Sequence, residues 1–145
     1  MRRMPLLEWS DEFSCNVKDI DDQHRSLIGM LNELHRAMIN GTGQETVASI
    51  IGQMMDYTSY HFSTEERYMA LHSYPGLIRH RSEHQDFVRA VSRFRAQYEA
   101  GRIGLSIDVL RFLSSWLLNH IQGSDRSLGP FLNARGVCGY GAQPS

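Results

Sequence analysis

At 145 residues the chain has the length of one domain with a real core, so we expect a single unit over 1–145 and one site. Fifteen Lys plus Arg against 16 Asp plus Glu leave a formal net charge of -1, which excludes a general basic field for nucleic acid or an anionic membrane surface. The opening "MRRMPLLEWSDEF" lacks a signal peptide's apolar run, and no stretch approaches the roughly 20 apolar residues of a membrane span, so a cytoplasmic location without membrane insertion is expected. Two cysteines, Cys15 and Cys138, are too few for a disulfide framework and fit reduced thiols.

After an N-terminal arm, the first helix is expected over about Asp19 to Asn40. Ile20, His24, Leu27, Leu31, Leu34 and Met38 recur at three- or four-residue spacing, Asp19 or Asp21 can cap its start, and Asn40-Gly41 can end it. Thr42 followed by Glu45 has capping-box spacing, so a second helix is expected from there to about Leu71. Its inward stripe is Val47, Ile50 or Ile51, Met54, Thr58, His61, Glu65 and Met69. "SYPG" then forces a turn. A third helix over about Leu77 to Ala100 carries His80, His84, Phe87, Val91, Phe94 and Tyr98 on one face. Gly101 and Gly104 bracket the next connection, and a fourth helix over about Ser106 to Gln122 turns Val109, Leu113, Trp116 or Leu117, and His120 inward. A short helix or tail follows, and 133–145 reads as a loose end, leaving an ordered core over about 9–132. Short connections make consecutive helices neighbours, so the expected fold is all-α, an antiparallel up-down-up-down four-helix bundle.

The seven histidines are placed rather than scattered. Residues four apart on an α-helix differ by about 40° in direction and about 6 Å along the axis, so His61 with Glu65, and His80 with His84, share faces. By the stripe argument both pairs point inward, with His24 and His120. A carboxylate and several imidazoles in an apolar core must find partners, and a first-row metal such as iron or zinc accepts both. In "HIQGSD", His120 and Asp125 are five apart, about 140° on a straight helix. A helix break at Gly123-Ser124 would let Asp125 swing back; alternatively Asp125 simply caps a following helix, "DRSLGPFL". If all are ligands, His24, His61, Glu65, His80, His84, His120 and Asp125 exceed the needs of one ion, whereas two adjacent ions sharing carboxylates use them all. His35 and His72 lie eleven positions after His24 and His61, about 16 Å along the axis, and are excluded. Glu66 points about 100° away from Glu65, which suits a solvated or supporting role rather than ligation.

"DDQHRSL", "HFSTEERYM", "YPGLIRHRSEHQDF" and "WLLNHIQGSD", in that order, resemble the hemerythrins, non-haem di-iron oxygen carriers folded as four-helix bundles. The resemblance covers about Trp9 to Leu132, and the generous first-to-second and third-to-fourth helix spacings resemble the bacterial branch. It implies that His80, His84 and His120 serve one iron and His24 and His61 the other. Glu65 and Asp125 would bridge them beside an oxo or hydroxo group, leaving the second iron one open position for dioxygen. Phe62, Trp116, Leu117 and Ile121 resemble the family's oxygen-pocket wall, with Trp116 donating to Glu65. A ligand set rich in neutral nitrogen favours binding oxygen and releasing it. The implied function is therefore reversible dioxygen binding for storage, delivery to oxygen-requiring enzymes, or sensing, not catalysis. The alternatives are a di-iron enzyme acting on peroxide or nitric oxide, and a redox sensor module.

Overall fold

The structure, a computed structural model, describes residues 7–41, 44–101 and 105–140. The Thr42 capping box, the Val47 side chain, Gly104 and the end beyond Tyr140 lie outside the described residues. Every regular element among them is helical: α1 (Lys18–Ile39), α2 (Gln44–Leu71), α3 (Leu77–Glu99), α4 (Leu105–Asn119), a π-helical segment (His120–Asp125) and α5 (Arg126–Asn133), preceded by a 3-10 turn at Asp11–Phe13.

Helix α1 packs on α2 and α4, and α3 packs on the same two, which closes the antiparallel four-helix bundle. The ends follow from local chemistry. Asn40 closes α1 and Gly41 takes a left-handed φ of 66°. Between α2 and α3 the chain reverses through Ser73, at φ 55°, and Pro75, so that α3 starts directly after Gly76. The start of α1 differs from the expected aspartate cap. Its N-cap is Val17, without a side-chain cap bond. Asp21 is instead fully buried within the first turn and accepts from the Cys15 backbone N–H (2.9 Å), the Ser14 hydroxyl and the Tyr140 hydroxyl.

Residues 134–140 likewise depart from the expected loose end. The Lys18 N–H donates to the Cys138 carbonyl at 2.7 Å, Asn133 donates to the Asn16 and Val137 carbonyls at 2.9 Å each, and Tyr140 reaches Asp21. These bonds satisfy backbone groups around the open first turn of α1, and a chain stretch so tied is ordered however loop-like its composition.

Two apolar clusters make the core. The larger holds Leu27, Leu31, Leu34, Ile50, Met54, Phe87, Val91, Val109 and Leu113; the smaller holds Cys15, Val17, Ile20, Met69, Leu128 and Leu132. On α1 the chain passes from Ile20 in one cluster through His24 to Leu27 in the other, and on α2 from Met54 through His61 and Glu65 to Met69. The polar inward residues therefore occupy a belt between two dry layers. No described helix is long and apolar enough to cross a membrane.

Candidate metal centre

All seven expected ligands meet in that belt. His24, His61, Glu65 and Asp125 are 0% exposed, and His80, His84 and His120 no more than 4%. They form two groups whose donor atoms each lie within 4.8 Å of one another: Glu65, His80, His84 and His120, and His24, His61, Glu65 and Asp125. Glu65 belongs to both. Asp125 also spans them, with Oδ2 2.6 Å from His24 Nε2 and Oδ1 2.9 and 3.0 Å from the Nε2 atoms of His80 and His120. His35 and His72 stand in neither group.

Asp125 arrives by a route other than the expected break. The backbone stays helical through Asn119, Asp125 and Arg126, and His120–Asp125 forms a π turn instead. Hydrogen bonding from i to i+5 adds a residue to the turn, so two side chains five apart fall on one face where an α-helix would splay them. Asp125 makes no capping bond to α5, which excludes the cap alternative.

The donor set fits a cation better than it fits hydrogen bonding alone. His84 Nε2 and His120 Nε2 face each other at 3.3 Å. His61 Nε2 lies 3.0 Å from Glu65 Oε1 and His80 Nε2 2.9 Å from Asp125 Oδ1, yet neither nitrogen makes a hydrogen bond of acceptable geometry, nor do Glu65 Oε2 and Asp125 Oδ1. Buried polar atoms left so are costly, and four orphaned donor atoms among seven converging groups are what a metal satisfies. The outer ring atoms agree: His61 Nδ1 donates to Gln23 Oε1 at 2.6 Å and His84 Nδ1 to Glu66 Oε2 at 3.0 Å. With the proton held at Nδ1, the neutral ring turns its Nε2 lone pair inward.

Electrostatics couple these groups tightly. Burial alone would raise the Glu65 and Asp125 carboxyls, but the neighbouring imidazoles hold both well below the usual range. Burial likewise opposes charge on the rings, yet the two carboxylates push His61 and His80 up to about 9 and His120 to about 10. His24 moves down, because burial outweighs Asp125 there. Protons and a metal ion thus compete for the same nitrogens.

Around the belt, Phe62 stacks on His84 with ring centroids 3.8 Å apart, and Trp116 stacks on His120 at 4.5 Å. Leu117 and Ile121 are 3% and 1% exposed. Trp116 lies on the His120 ring and, among the described residues, makes no hydrogen bond to Glu65, unlike the expected donation. Sequence reasoning missed Gln23, 4% exposed, which also donates to Thr64 Oγ1 at 3.2 Å. Nothing in one sequence separates a buried glutamine from an exposed one when both sit on a helix beside a histidine.

A family model described as the hemerythrin HHE cation binding domain matches residues 15–132. A bacteriohemerythrin of Stenotrophomonas maltophilia (strain R551-3) is 37% identical over 124 residues, covering 86% of this chain and 80% of its own. One of Methylococcus capsulatus (strain ATCC 33009 / NCIMB 11132 / Bath) is 33% identical over 132 residues, covering 90% of this chain and 100% of its own. A solved wild-type hemerythrin superposes with a TM-score of 0.81 at 32% identity, covering 88% of this chain and 98% of that one.

Proposed function

The chain belongs to the hemerythrin family, and from that membership we propose that it binds dioxygen reversibly at a non-haem di-iron centre. His80, His84 and His120 would hold one iron, His24 and His61 the other, with Glu65 and Asp125 shared and an oxo or hydroxo bridge completing the pair. The observation that carries this reading is the sharing itself: two carboxylates, each fully buried, lie within reach of both histidine groups. When bound, an iron pair would supply the two electrons that reversible dioxygen binding requires. The chain's own part is to hold five neutral nitrogens and two carboxylates in a fixed, water-free arrangement, a composition that favours release over further oxidation.

Phe62, Trp116, Leu117 and Ile121 supply the dry wall. Phe62 and Trp116 stack on proposed ligands, Ile121 follows His120 in sequence and Leu117 lies one turn before it, so together they put apolar surface beside the centre, which would help to exclude water. Such a protein stores oxygen or carries it to oxygen-consuming enzymes. The free thiols of Cys15 and Cys138 suit a reducing cytoplasm.

The test is optical and stoichiometric. Purified protein should carry two irons per chain; reduced without oxygen and then exposed to air, it should develop a visible charge-transfer band that disappears on deoxygenation and returns over several cycles. A one-way passage to the diferric state on the first exposure would overturn oxygen carriage in favour of an enzyme or a sensor.

A further inference from the structure

The backing of the histidines is unequal. On the three-histidine side, His84 donates from Nδ1 to the Glu66 carboxylate at 3.0 Å, and the other oxygen of Glu66 accepts from Arg81 Nε at 2.9 Å. A second carboxylate approaches the same group: Glu83 Oε2, which accepts from the Ser124 hydroxyl, lies 3.9 Å from His120 Nδ1, at ion-pair rather than hydrogen-bond distance.

On the two-histidine side the backing is neutral, and its polarity is determined by a chain of donors. The Thr64 hydroxyl donates to the Tyr60 carbonyl at 3.0 Å, so its oxygen is free to accept from Gln23 Nε2. That orients Gln23 Oε1 toward His61 Nδ1, 2.6 Å away. The Nδ1 atom of His24 has no hydrogen-bond partner. An amide carbonyl behind a ring N–H polarises the imidazole less than a carboxylate does, and a charge-assisted bond is roughly twice as strong as a neutral one.

Resting on the proposed di-iron reading, we infer that Glu66 is a positioning residue that acts through His84 to give the three-histidine iron an anionic backing which the two-histidine iron lacks. The carboxylate strengthens His84 as an electron donor and so favours the ferric state of the coordinatively closed iron. Arg81, whose side chain is 46% exposed, withdraws part of that charge and sets its strength. The open iron, backed by a buried amide, keeps a weaker donor set, which suits a position that must let its ligand go. The two irons are thereby made inequivalent from outside the ligand sphere as well as by ligand count.

The experiment compares the iron-loaded wild type with Glu66→Gln and Arg81→Gln. Its readouts are the successive one-electron reduction potentials, assigned to each iron by Mössbauer spectra, and the rate of iron loss to a chelator. Glu66→Gln should raise the potential of the three-histidine iron and speed iron loss by about 10-fold or more. Arg81→Gln, which frees the carboxylate, should lower that potential. Opposite signs support the inference, because a merely steric role would move both variants the same way; unchanged potentials, or shifts of one sign, overturn it. Should Glu66→Gln not fold, Arg81→Gln decides alone, since a potential that is unchanged or raised overturns the inference. Wild-type protein without two irons would sink the di-iron reading together with this inference. Two irons and reversible oxygen binding with unmoved potentials would sink this inference alone.

Discussion

His84 and His120 bring ring nitrogens to 3.3 Å of each other in a buried belt, which two lone pairs tolerate only with a proton or a cation between them. The carboxylates raise the histidine values to about 9 at His61 and His80 and about 10 at His120, so in the absence of metal these rings are charged at neutral pH. Metal binding needs them neutral. Protons therefore oppose the metal below about pH 9, and the opposition fades as pH rises through the raised values. Iron retention against a fixed chelator concentration should fall as pH is lowered, with more than one proton taken up per iron lost; a pH-independent retention curve would contradict this. Replacing His120 with Ala removes a nitrogen that lies near both buried carboxylates. We expect iron content to drop and stability to fall by about 3–5 kcal/mol, read by iron assay and denaturant unfolding, because a buried charge is left without its partner. A variant that kept both irons would remove His120 from the centre.

At the scale of elements, the π turn is what separates this fourth helix from a plain one. It places Asp125 in the belt and leaves α5 running on toward the N-terminal segment. There Gly129 admits the Cys15 backbone so closely that a Cβ on it would stand 2.0 Å from the Cys15 carbonyl oxygen. Gly123, inside the π turn, has open space where its Cβ would be. The two glycines should thus respond in opposite ways to alanine. Gly129→Ala should cost about 1–3 kcal/mol by overpacking, whereas Gly123→Ala should be neutral or stabilise by up to about 1 kcal/mol through lower unfolded-state entropy. Thermal melts of the iron-loaded variants separate the outcomes, and equal losses at both positions would show that contact distance is not what decides.

For the molecule as a whole, the seven groups come from α1, α2, α3 and the π turn that ends α4, so a metal centre held by them would tie all four walls of the bundle. An unfolded chain presents no such constellation, and binding free energy then appears as folding free energy. Stripping the metal with a chelator should lower the melting temperature and leave the belt the first region to exchange its amide hydrogens. A melting point indifferent to chelation would mean that the two apolar clusters alone hold the bundle. The segment 134–140 contributes independently of metal, through Tyr140 and Asp21, so Tyr140→Phe should loosen the α1 start without changing iron content.

Periodicity was enough to read the four helices, their inward faces and the pairs His61–Glu65 and His80–His84, because an α-helix turns spacing directly into direction. His24 and His120 followed from the same stripes, and the motif order carried the family. What remained for the tertiary structure were features with no local signature: the π turn in place of a break, since the same six residues are compatible with either; the burial of Gln23 and Asp21; and the return of residues 134–140 onto α1. Each depends on which distant surface a side chain meets, and a contact between residues more than a hundred positions apart, such as Tyr140 with Asp21, leaves no trace in the spacing of either neighbourhood. Local geometry is written in the chain, whereas the pairing of its separate parts is decided only when the helices pack.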